Sequence, residues 1–281
     1  MNTVHTIKEL RSIVAQQRKK GQRIVFVPTM GNLHAGHIAL VTEGLTHGDF
    51  VITSIFVNPM QFGANEDLDA YPRTLEQDQQ KLAKAGNHLV FAPSAKEIYP
   101  QGMDNQSKVI VPDITELHCG ASRPGHFTGV STVVTMLFNM VQPDVAVFGE
   151  KDYQQLAVIR KMVKDLFMPI EIIGLPTARD DDGLAKSSRN GYLNEEERII
   201  APKLNEIINF TANKIREGDQ NFTKLTQEAQ ALLTEQHFKP DYFNIVDSET
   251  LKLADKTTPS ITILAAAYLG GTRLIDNITI K

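Results

Sequence analysis

The first 175 residues alternate short, apolar, β-branched runs with longer segments that suit helices, and this alternation most constrains the fold. The predicted strands cover residues 23–28, 51–57, 88–91, 144–148 and 170–174. The predicted helices cover residues 35–45, 74–85, 127–140 and 153–167. Unbroken apolar strands that alternate with helices are typical of a parallel sheet covered on both faces. With right-handed crossovers, the pattern predicts a doubly wound, Rossmann-like α/β domain.

The pattern changes after residue 175. Asn194, followed three residues later by Glu197, has the spacing of a capping box and predicts a long helix over residues 194–216. A second helix is predicted near residues 225–236, and strands are predicted at 242–246, 261–267 and 273–280. Helices followed by strands indicate a smaller C-terminal α+β domain. We expect a boundary near residue 176, which divides the chain into domains 1–175 and 176–281.

Composition excludes several classes of protein. The chain has 281 residues, of which 42% are hydrophobic and 22% charged, so it can build a sizeable core and is not a disordered chain. A net charge of −4 disfavours a non-specific nucleic-acid binder. No stretch approaches the roughly 20 apolar residues of a membrane-spanning helix, and no secretory signal is recognisable. The single cysteine, Cys119, suits a reducing compartment, so we expect a soluble cytoplasmic protein without a membrane partner.

The strongest local motif is the run Pro28-Thr29-Met30-Gly31-Asn32-Leu33-His34-Ala35-Gly36-His37, which leaves the first apolar strand and enters the first helix. It therefore lies at the carboxyl edge of the sheet, where α/β proteins bind ligands. His34 and His37 share a face of the first helical turn, where free N–H groups and the helix dipole favour a phosphate. Gly36 would let a flat ring or a phosphate approach the backbone closely. The alternatives are two ordinary surface or core histidines, or a zinc pair for which the spacing marks no third ligand.

Two further polar segments have the chemistry of phosphate binding. In Gly149-Glu150-Lys151-Asp152, which follows a predicted strand, Lys151 could meet a phosphate, and Asp152 could accept from ribose hydroxyls or hold a metal. In Lys186-Ser187-Ser188-Arg189, two cations and two hydroxyls within four residues would hold a polyanion. Taken alone, the first segment is more typical of a solvated turn, and the second is equally typical of an exposed basic loop.

Two amide side chains have the chemistry of specificity determinants. Gln61 follows a predicted strand in the run Asn58-Pro59-Met60-Gln61-Phe62, and Gln155 lies on the first turn of the helix predicted after residue 152. An amide offers both donors and an acceptor, so the pair could recognise the hydroxyls and carboxylate of a small polar acid. A single glutamine in a loop is normally a surface residue, so neither position carries this assignment alone.

Taken together, these motifs resemble those of the pantothenate synthetases, which are pantoate–β-alanine ligases. The runs at 28–37, 56–62, 123–127, 148–155 and 186–190 match this family in register, essentially from end to end. The pair His34 and His37 alone is a signature of the wider nucleotidylyltransferase superfamily. Asn-Pro-Met-Gln-Phe combined with Gly-Glu-Lys-Asp-Tyr-Gln-Gln is far more specific.

The resemblance implies a Rossmann-type ATP domain, a smaller C-terminal lid domain and a homodimer. It implies ATP with Mg²⁺, (R)-pantoate and β-alanine as ligands. The implied reaction condenses pantoate with β-alanine through a pantoyl adenylate and releases AMP and pyrophosphate. The resemblance does not identify the direct metal ligands.

The resemblance also assigns residues by motif match. For ATP these are Met30, Gly31, Asn32, Leu33, His34, Ala35, Gly36, His37, Gly149, Glu150, Lys151, Asp152, the backbone of Ala178, Lys186, Ser187, Ser188 and Arg189. His37 matches the position of a proton donor, and His34 and Lys151 are expected to act with it. Gln61 and Gln155 match pantoate-binding positions, with Gln61 also near β-alanine. Val133 and Val134 match the apolar lining that the gem-dimethyl group of pantoate requires.

Related chains commonly have Met where Lys186 stands. Its ammonium either reaches a phosphate or points into water, and the sequence leaves both positions open.

Three other functions also remain open at this stage. A nucleotidylyltransferase would keep the nucleotidyl group in its final product, so the released nucleotide discriminates it from a ligase. An aminoacyl-tRNA synthetase would need a tRNA-binding surface, which the net charge disfavours. A catalytically silent ATP-binding module would release no pyrophosphate.

Overall fold

The computed structural model describes residues 1–63, 66 and 68–280. Within these residues, one sheet contains the parallel strands β1 (Asn2–Val4), β2 (Ile24–Thr29), β3 (Phe50–Ile55), β4 (Leu89–Phe91), β5 (Val145–Gly149) and β6 (Glu171–Leu175). The strand order is β1-β4-β3-β2-β5-β6. The predicted doubly wound parallel sheet is therefore confirmed, and β1 adds an edge strand that was not predicted.

Helices cover both faces of this sheet. They are α1 (Ile7–Lys19), α2 (Ala35–His47), α3 (Leu75–Lys84), α4 (Ala95–Ile98), α5 (Cys119–Ser122), α6 (His126–Val141) and α7 (Tyr153–Asp165). Successive residues of a strand point to opposite faces. On β2, Ile24 and Phe26 pack in a core with α1, α6 and α7, whereas Val25 and Val27 pack in a core with α2 and α3.

The strand order reverses between β2 and β5. From β2 the chain continues outward through β3 and β4, and it then returns to pair β5 with the other side of β2. In a doubly wound sheet, ligands bind outside the carboxyl ends of the strands at this point. Because β2 ends at Thr29 and β5 ends at Gly149, the residues 30–37 (the 30–37 turn) and 149–152 (the 149–152 segment) both lie at this edge.

The C-terminal part of the chain forms a separate antiparallel sheet. Its strands are β7 (Lys239–Asp247), β8 (Ile261–Leu269) and β9 (Thr272–Ile280), and its helices are α8 (Glu195–Ile200), α9 (Lys203–Arg216) and α10 (Phe222–Glu235). One face, with Phe243 and Ile245, packs in a core with α9 and α10. Val246 and Leu264 instead join the core of the large sheet. The small sheet therefore packs directly against the N-terminal unit.

The prediction of one helix over residues 194–216 was wrong, because α8 ends at Ile200 and α9 begins at Lys203. Pro202 lies between them, and a proline has no N–H to donate while its ring clashes with the carbonyl four residues earlier. The predicted start was correct: Asn194 caps α8, and its side chain and that of Glu197 each accept a hydrogen bond from the other's backbone N–H.

Helix α1 was not predicted, although Thr6 and Glu9 form a capping box at its start. Among the helices of residues 1–63, 66 and 68–280, none combines the length and the apolar content that crossing a membrane requires.

Candidate active site

A cavity of about 240 Å³ lies at the carboxyl ends of β2 and β5. Most of the residues selected from the sequence line it, namely Met30, His34, Gly36, His37, Gln61, Val133, Val134, Gly149, Lys151, Asp152, Gln155, Ala178, Lys186, Ser187, Ser188 and Arg189. The structure therefore brings together motifs that are far apart in the sequence.

The remaining selected residues are not among those that line this cavity. The side chain of Leu33 is buried in the core beside α2, and Ala35 is exposed. Gly31 has a left-handed φ of +85° and belongs to the backbone of the turn. The backbone carbonyls of Asn32 and Glu150 accept hydrogen bonds from Ser188 and Asn277. Asn32 and Glu150 therefore contribute to the site through their backbone carbonyls.

The first turn of α2 fixes both histidines and their tautomers. His34 is the N-cap of α2, and its Nδ1 accepts a hydrogen bond from the N–H of Gly36 at 3.1 Å. The Nδ1 of His37 accepts from the backbone N–H of His34 at 3.3 Å. A neutral imidazole that accepts at Nδ1 carries its proton on Nε2. Each ring thus keeps an Nε2–H donor, and both rings line the cavity with their centroids 4.1 Å apart.

Gly36 is required for this arrangement. A Cβ atom at position 36 would lie 2.9 Å from Cε1 of His34, a distance shorter than van der Waals contact. The flat ring that approaches the Gly36 backbone is therefore the imidazole of His34.

Both imidazoles are neutral at pH 7. Burial, together with the positive charges of Lys151 and Lys186, lowers the pKa of His34 to about 4. Burial and the neighbouring ring of His34 lower the pKa of His37 to about 3. The histidines therefore offer neutral hydrogen-bond donors, whereas the positive charge of the site comes from lysine and arginine side chains.

A carboxylate on α3, which the sequence analysis did not select, holds the 30–37 turn. Asp78 is fully buried and accepts hydrogen bonds from the backbone N–H groups of Asn32 at 2.9 Å and Leu33 at 2.8 Å. Asn32 has a left-handed φ of +49°. Lys81, one helical turn after Asp78, donates to the carbonyl of Leu33 at 2.6 Å. Helix α3 therefore fixes the backbone between β2 and α2.

The sequence contains a signal for Asp78. Leu75, Asp78 and Leu82 follow one another at spacings of three and four residues, which place them on one face of a helix. An acidic residue on an otherwise apolar face needs buried donors, and this need could have identified Asp78.

Asn58 orients the amide of Gln61. Asn58 is 1% exposed, and its Nδ2 donates to Oε1 of Gln61 at 3.1 Å. The Oδ1 of Asn58 accepts from the hydroxyl of Tyr99 at 2.7 Å. Because Oε1 of Gln61 is used by Asn58, its Nε2 lies on the other side, 3.1 Å from Sδ of Met30 in the cavity wall. Gln61 therefore presents donors to the cavity.

The first residue of α6 holds the backbone of Gln61. The Nδ1 of His126 donates to the carbonyl of Gln61 at 2.8 Å, and its Nε2 accepts from Arg123 at 3.0 Å. Arg123 also pairs with Glu66 through two hydrogen bonds of 2.6 Å. Burial and the charge of Arg123 lower the pKa of His126 to about 4, so this ring is neutral as well. Arg123 and His126 belong to the run at 123–127 that resembles the family, but the sequence alone does not indicate their role.

The wall that α6 contributes is apolar. Val130, Val133, Val134 and Leu137 of this helix all line the cavity. Gln155 of α7 lines it as well. The site thus combines two amides with an aliphatic wall.

The 149–152 segment continues from β5 into a short 3₁₀-helix, Glu150–Asp152. Lys151 and Asp152 line the cavity. Within the described part of the chain, the ammonium of Lys151 makes no ion pair, so its charge is available to a ligand.

Residues 186–189 (the 186–189 segment) follow a hairpin of residues 178–186, in which Arg179 pairs with Ala185. The N–H of Lys186 donates to the carbonyl of Ala178 at 2.9 Å, so that carbonyl has a partner within the chain. The ammonium of Lys186 pairs with Asp180, a third position besides the two that the sequence left open. The hydroxyl of Ser188 donates to the carbonyl of Asn32 at 3.1 Å and links this segment to the 30–37 turn.

Metal ligands are sparse. In residues 1–63, 66 and 68–280, no group of three or more His, Cys, Asp or Glu side chains is placed to hold a metal ion. A zinc site at His34 and His37 would lack further protein ligands there. Asp152 supplies a carboxylate to the cavity wall.

A second cavity of about 470 Å³ adjoins the first one. The second cavity also reaches β8 and β9. The residues that line both cavities are Arg123, His126, Lys151, Asp152, Gln155, Ser187 and Arg189. The N-terminal and C-terminal units therefore border a common space that begins at the 149–152 and 186–189 segments.

Comparisons with known proteins agree with this geometry. A family model described as pantoate-beta-alanine ligase matches residues 2–279. A pantothenate synthetase of Marinobacter nauticus is 63% identical over 280 residues, which cover 100% of this chain and 99% of that protein. A pantothenate synthetase of Hahella chejuensis is 60% identical over 280 residues, with the same coverage.

Solved structures show the same similarity. The crystal structure of pantothenate synthetase from Thermus thermophilus has a TM-score of 0.92 and 44% identity, and the match covers 99% of each chain. A pantoate-beta-alanine ligase from Francisella tularensis, complexed with beta-gamma ATP and beta-alanine, has a TM-score of 0.81 and 39% identity, and the match covers 99% of this chain and 97% of that one. The family match along nearly the whole chain agrees with the motifs at the cavity, and the chain belongs to the pantoate–β-alanine ligase family.

Proposed function

We propose that the cavity between β2 and β5 joins pantoate to β-alanine in two steps, through a pantoyl adenylate. The observation that carries this proposal is the meeting, in one cavity, of an apolar wall with two amides and of three polar segments suited to phosphates. The apolar wall and the amides suit a small branched hydroxy acid, and the polar segments suit ATP.

In the first step, a carboxylate oxygen of pantoate attacks the α-phosphorus of ATP, and pyrophosphate leaves. The carboxylate is already ionised at neutral pH, so the attack requires no general base. The step does require stabilisation of the charge that develops on the phosphoryl oxygens and on the leaving group. We assign this stabilisation to Lys151, Ser187, Ser188 and Arg189.

We assign His34 and His37 to hydrogen bonding with phosphate oxygens. Their Nδ1 atoms accept from backbone N–H groups, so their Nε2–H groups serve as the donors. Because burial lowers the pKa of His37 to about 3, a neutral imidazole is present at pH 7. The family role of proton donor then becomes, for His37, that of a neutral hydrogen-bond donor.

We place pantoate against the α6 wall, with its gem-dimethyl group on Val133 and Val134 and its polar groups on Gln61 and Gln155. In the second step, the amine of β-alanine, having lost a proton to water, attacks the acyl carbon. The bond between this carbon and the adenylyl oxygen breaks, AMP leaves, and the nitrogen releases a second proton as the amide forms. Asn58 orients the amide of Gln61, so that its N–H donors can bind pantoate and then β-alanine.

Mg²⁺ fits the donor set of the cavity. This ion is usually held by one or two carboxylates together with substrate phosphates. Asp152 offers such a carboxylate beside Lys151, so Asp152 would hold Mg²⁺ together with the phosphates of ATP. The ion would neutralise charge on those phosphates when bound.

We further propose that residues 176–281 act as a lid over the domain of residues 1–175 and protect the mixed anhydride from water. Resemblance to the family supports a cytoplasmic homodimer for this chain. Light scattering of the purified protein would test the dimer.

The decisive experiment is isotope exchange between ATP and pyrophosphate. We expect exchange with pantoate and Mg²⁺ in the absence of β-alanine, and AMP release when β-alanine is added. Exchange that appears only with β-alanine would contradict a free-standing adenylate. Pyrophosphate release without AMP would indicate a nucleotidylyltransferase, and a silent ATP-binding module would give neither product.

A further inference from the structure

Two adjacent residues of β9 contact the 149–152 segment of the N-terminal unit and the hairpin that precedes the 186–189 segment. Neighbouring residues of a strand point to opposite faces, so Asp276 and Asn277 can contact different parts of the molecule. Both are buried, at 4% and 8% exposure. Neither lines the 240 Å³ cavity, but both line the adjoining cavity of about 470 Å³.

Asn277 holds the 149–152 segment. Its Nδ2 donates to the carbonyl of Glu150 at 2.9 Å and to the carbonyl of Lys151 at 2.9 Å. An amide nitrogen has two N–H donors, and here both are used on consecutive backbone carbonyls. The direction in which the Lys151 side chain leaves the backbone is therefore set from the C-terminal unit.

Asp276 holds the hairpin that leads to the 186–189 segment. Its carboxylate accepts two hydrogen bonds from the guanidinium of Arg179, at 2.7 and 2.8 Å, and one from Asn205 at 2.9 Å. Arg179 pairs across the hairpin with Ala185, immediately before Lys186. A bidentate Arg–carboxylate pair fixes orientation as well as position.

Asp276 and Asn277 are also hydrogen-bonded to each other. The backbone N–H of Asn277 donates to the carboxylate of Asp276 at 2.8 Å. Asp276 of β9 therefore holds the hairpin that precedes the 186–189 segment, and the next residue, Asn277, holds the backbone of Lys151. The spacing between the two phosphate-facing segments depends on the register of β9.

We propose that Asp276 and Asn277 are positioning residues, which fix the separation between Lys151 and the 186–189 segment for the adenylation step. This inference rests on the proposed function, since it takes the two segments as the site of the ATP phosphates. It predicts that disturbing the pair affects ATP far more than pantoate, because Gln61 and the α6 wall are held by other residues.

The principal test is Asn277→Ala, with Thr279→Ala as its matched control. Thr279 lies two residues further along β9, on the same face, and its hydroxyl pairs with that of Thr262 at 3.0 Å. Thr279→Ala loses one side-chain hydrogen bond of β9 and Asn277→Ala loses two, and only Asn277→Ala frees the carbonyls of the 149–152 segment. The measurements are pantoate-dependent ATP–pyrophosphate exchange, the KM for each substrate, and the melting temperature.

For Asn277→Ala we expect about a tenfold loss of exchange rate and a raised KM for ATP, with the KM for pantoate within about twofold of the unaltered chain. Thr279→Ala should lower the melting temperature less, and it should leave exchange unchanged at a temperature where both variants are folded. Asp276→Asn should shift the KM for ATP in the same direction. If Asp276→Asn does not fold, the kinetics of Asn277→Ala alone still test the positioning role.

Two results would overturn the proposal. One is equal loss of activity in Asn277→Ala and Thr279→Ala, which would reduce the role of Asn277 to stability. The other is an Asn277→Ala variant whose KM rises for pantoate as much as for ATP. Failure of the unaltered chain to catalyse pantoate-dependent exchange would instead refute the proposed function, so the two failures are distinguishable.

Discussion

Replacing Asp78 by Asn tests how the 30–37 turn is held. The carboxylate accepts the N–H groups of Asn32 and Leu33 on separate oxygens, and the hydroxyl of Thr74 donates to it at 3.1 Å. An amide keeps one acceptor and places an N–H group where the second acceptor was. One backbone N–H of the turn then faces another donor.

The magnitude follows from these contacts. A hydrogen bond to a charged group contributes roughly 1.5–3 kcal/mol, and leaving a buried donor unpaired costs about 1–3 kcal/mol. The variant loses one such bond and weakens the other, so we expect its free energy of unfolding to fall by about 2–4 kcal/mol. At roughly 2–3 °C per kcal/mol for a chain of this size, the melting temperature should fall by about 5–10 °C.

Activity should fall more than stability alone explains. The turn places His34 and His37, so we expect the exchange rate to fall about a hundredfold at a temperature where the variant is still folded. The matched control is Asp165→Asn. Asp165 forms an exposed ion pair with Lys161 at 2.6 Å, and such a pair contributes only about 0–1 kcal/mol. An Asp78→Asn variant with the melting temperature and exchange rate of this control would refute the reasoning.

Three further outcomes are expected. Lys151→Ala should lower turnover by roughly 10²–10³ while the KM for pantoate changes little, because the proposed function places its charge against the phosphates of ATP. Steady-state kinetics with normal turnover would contradict this. Lys186→Met should change the KM for ATP less than about fivefold at low and at high salt, since its ammonium pairs with Asp180 in a partly exposed ion pair; a hundredfold loss of turnover would disprove it. The unfolded chain protonates His34 and His37 near their ordinary pKa of about 6.5, whereas burial keeps their native pKa values at about 4 and 3. The stability that these rings contribute above pH 6.5 is therefore lost as the pH falls from about 6.5 towards their native pKa values. Melting temperatures measured from pH 7 downward should fall less steeply in a His34→Gln, His37→Gln double variant than in the unaltered chain.

Most of the fold could be predicted because its signals are local. The apolar run of β2 and the turn that follows it are contiguous in the sequence, and the same holds for β5 and Lys151. In a doubly wound sheet, these contiguous units determine the edge at which the site forms. The prediction of one helix over 194–216 was wrong for a local reason as well. The apolar periodicity continues through Pro202, but the helix is interrupted there.

The residues that hold the site could not be predicted in the same way. Asp78 lies 46 residues from Asn32, and Asn277 lies 126 residues from Lys151. Only the tertiary fold brings such pairs together. A buried Asp or Asn in the sequence gives no indication of which backbone groups it will meet.

The histidine motif depends on residues far away in the sequence. The run His34-Ala35-Gly36-His37 supplies two rings, but a helix N-terminus alone does not fix the preceding turn. In this chain the N–H groups of Asn32 and Leu33 have a buried partner in Asp78, and the carbonyl of Leu33 has one in Lys81. A chain with the histidines but without acceptors from the neighbouring helix would leave those buried groups unpaired, which is costly. The motif therefore predicts phosphate binding only in combination with the elements that satisfy its backbone.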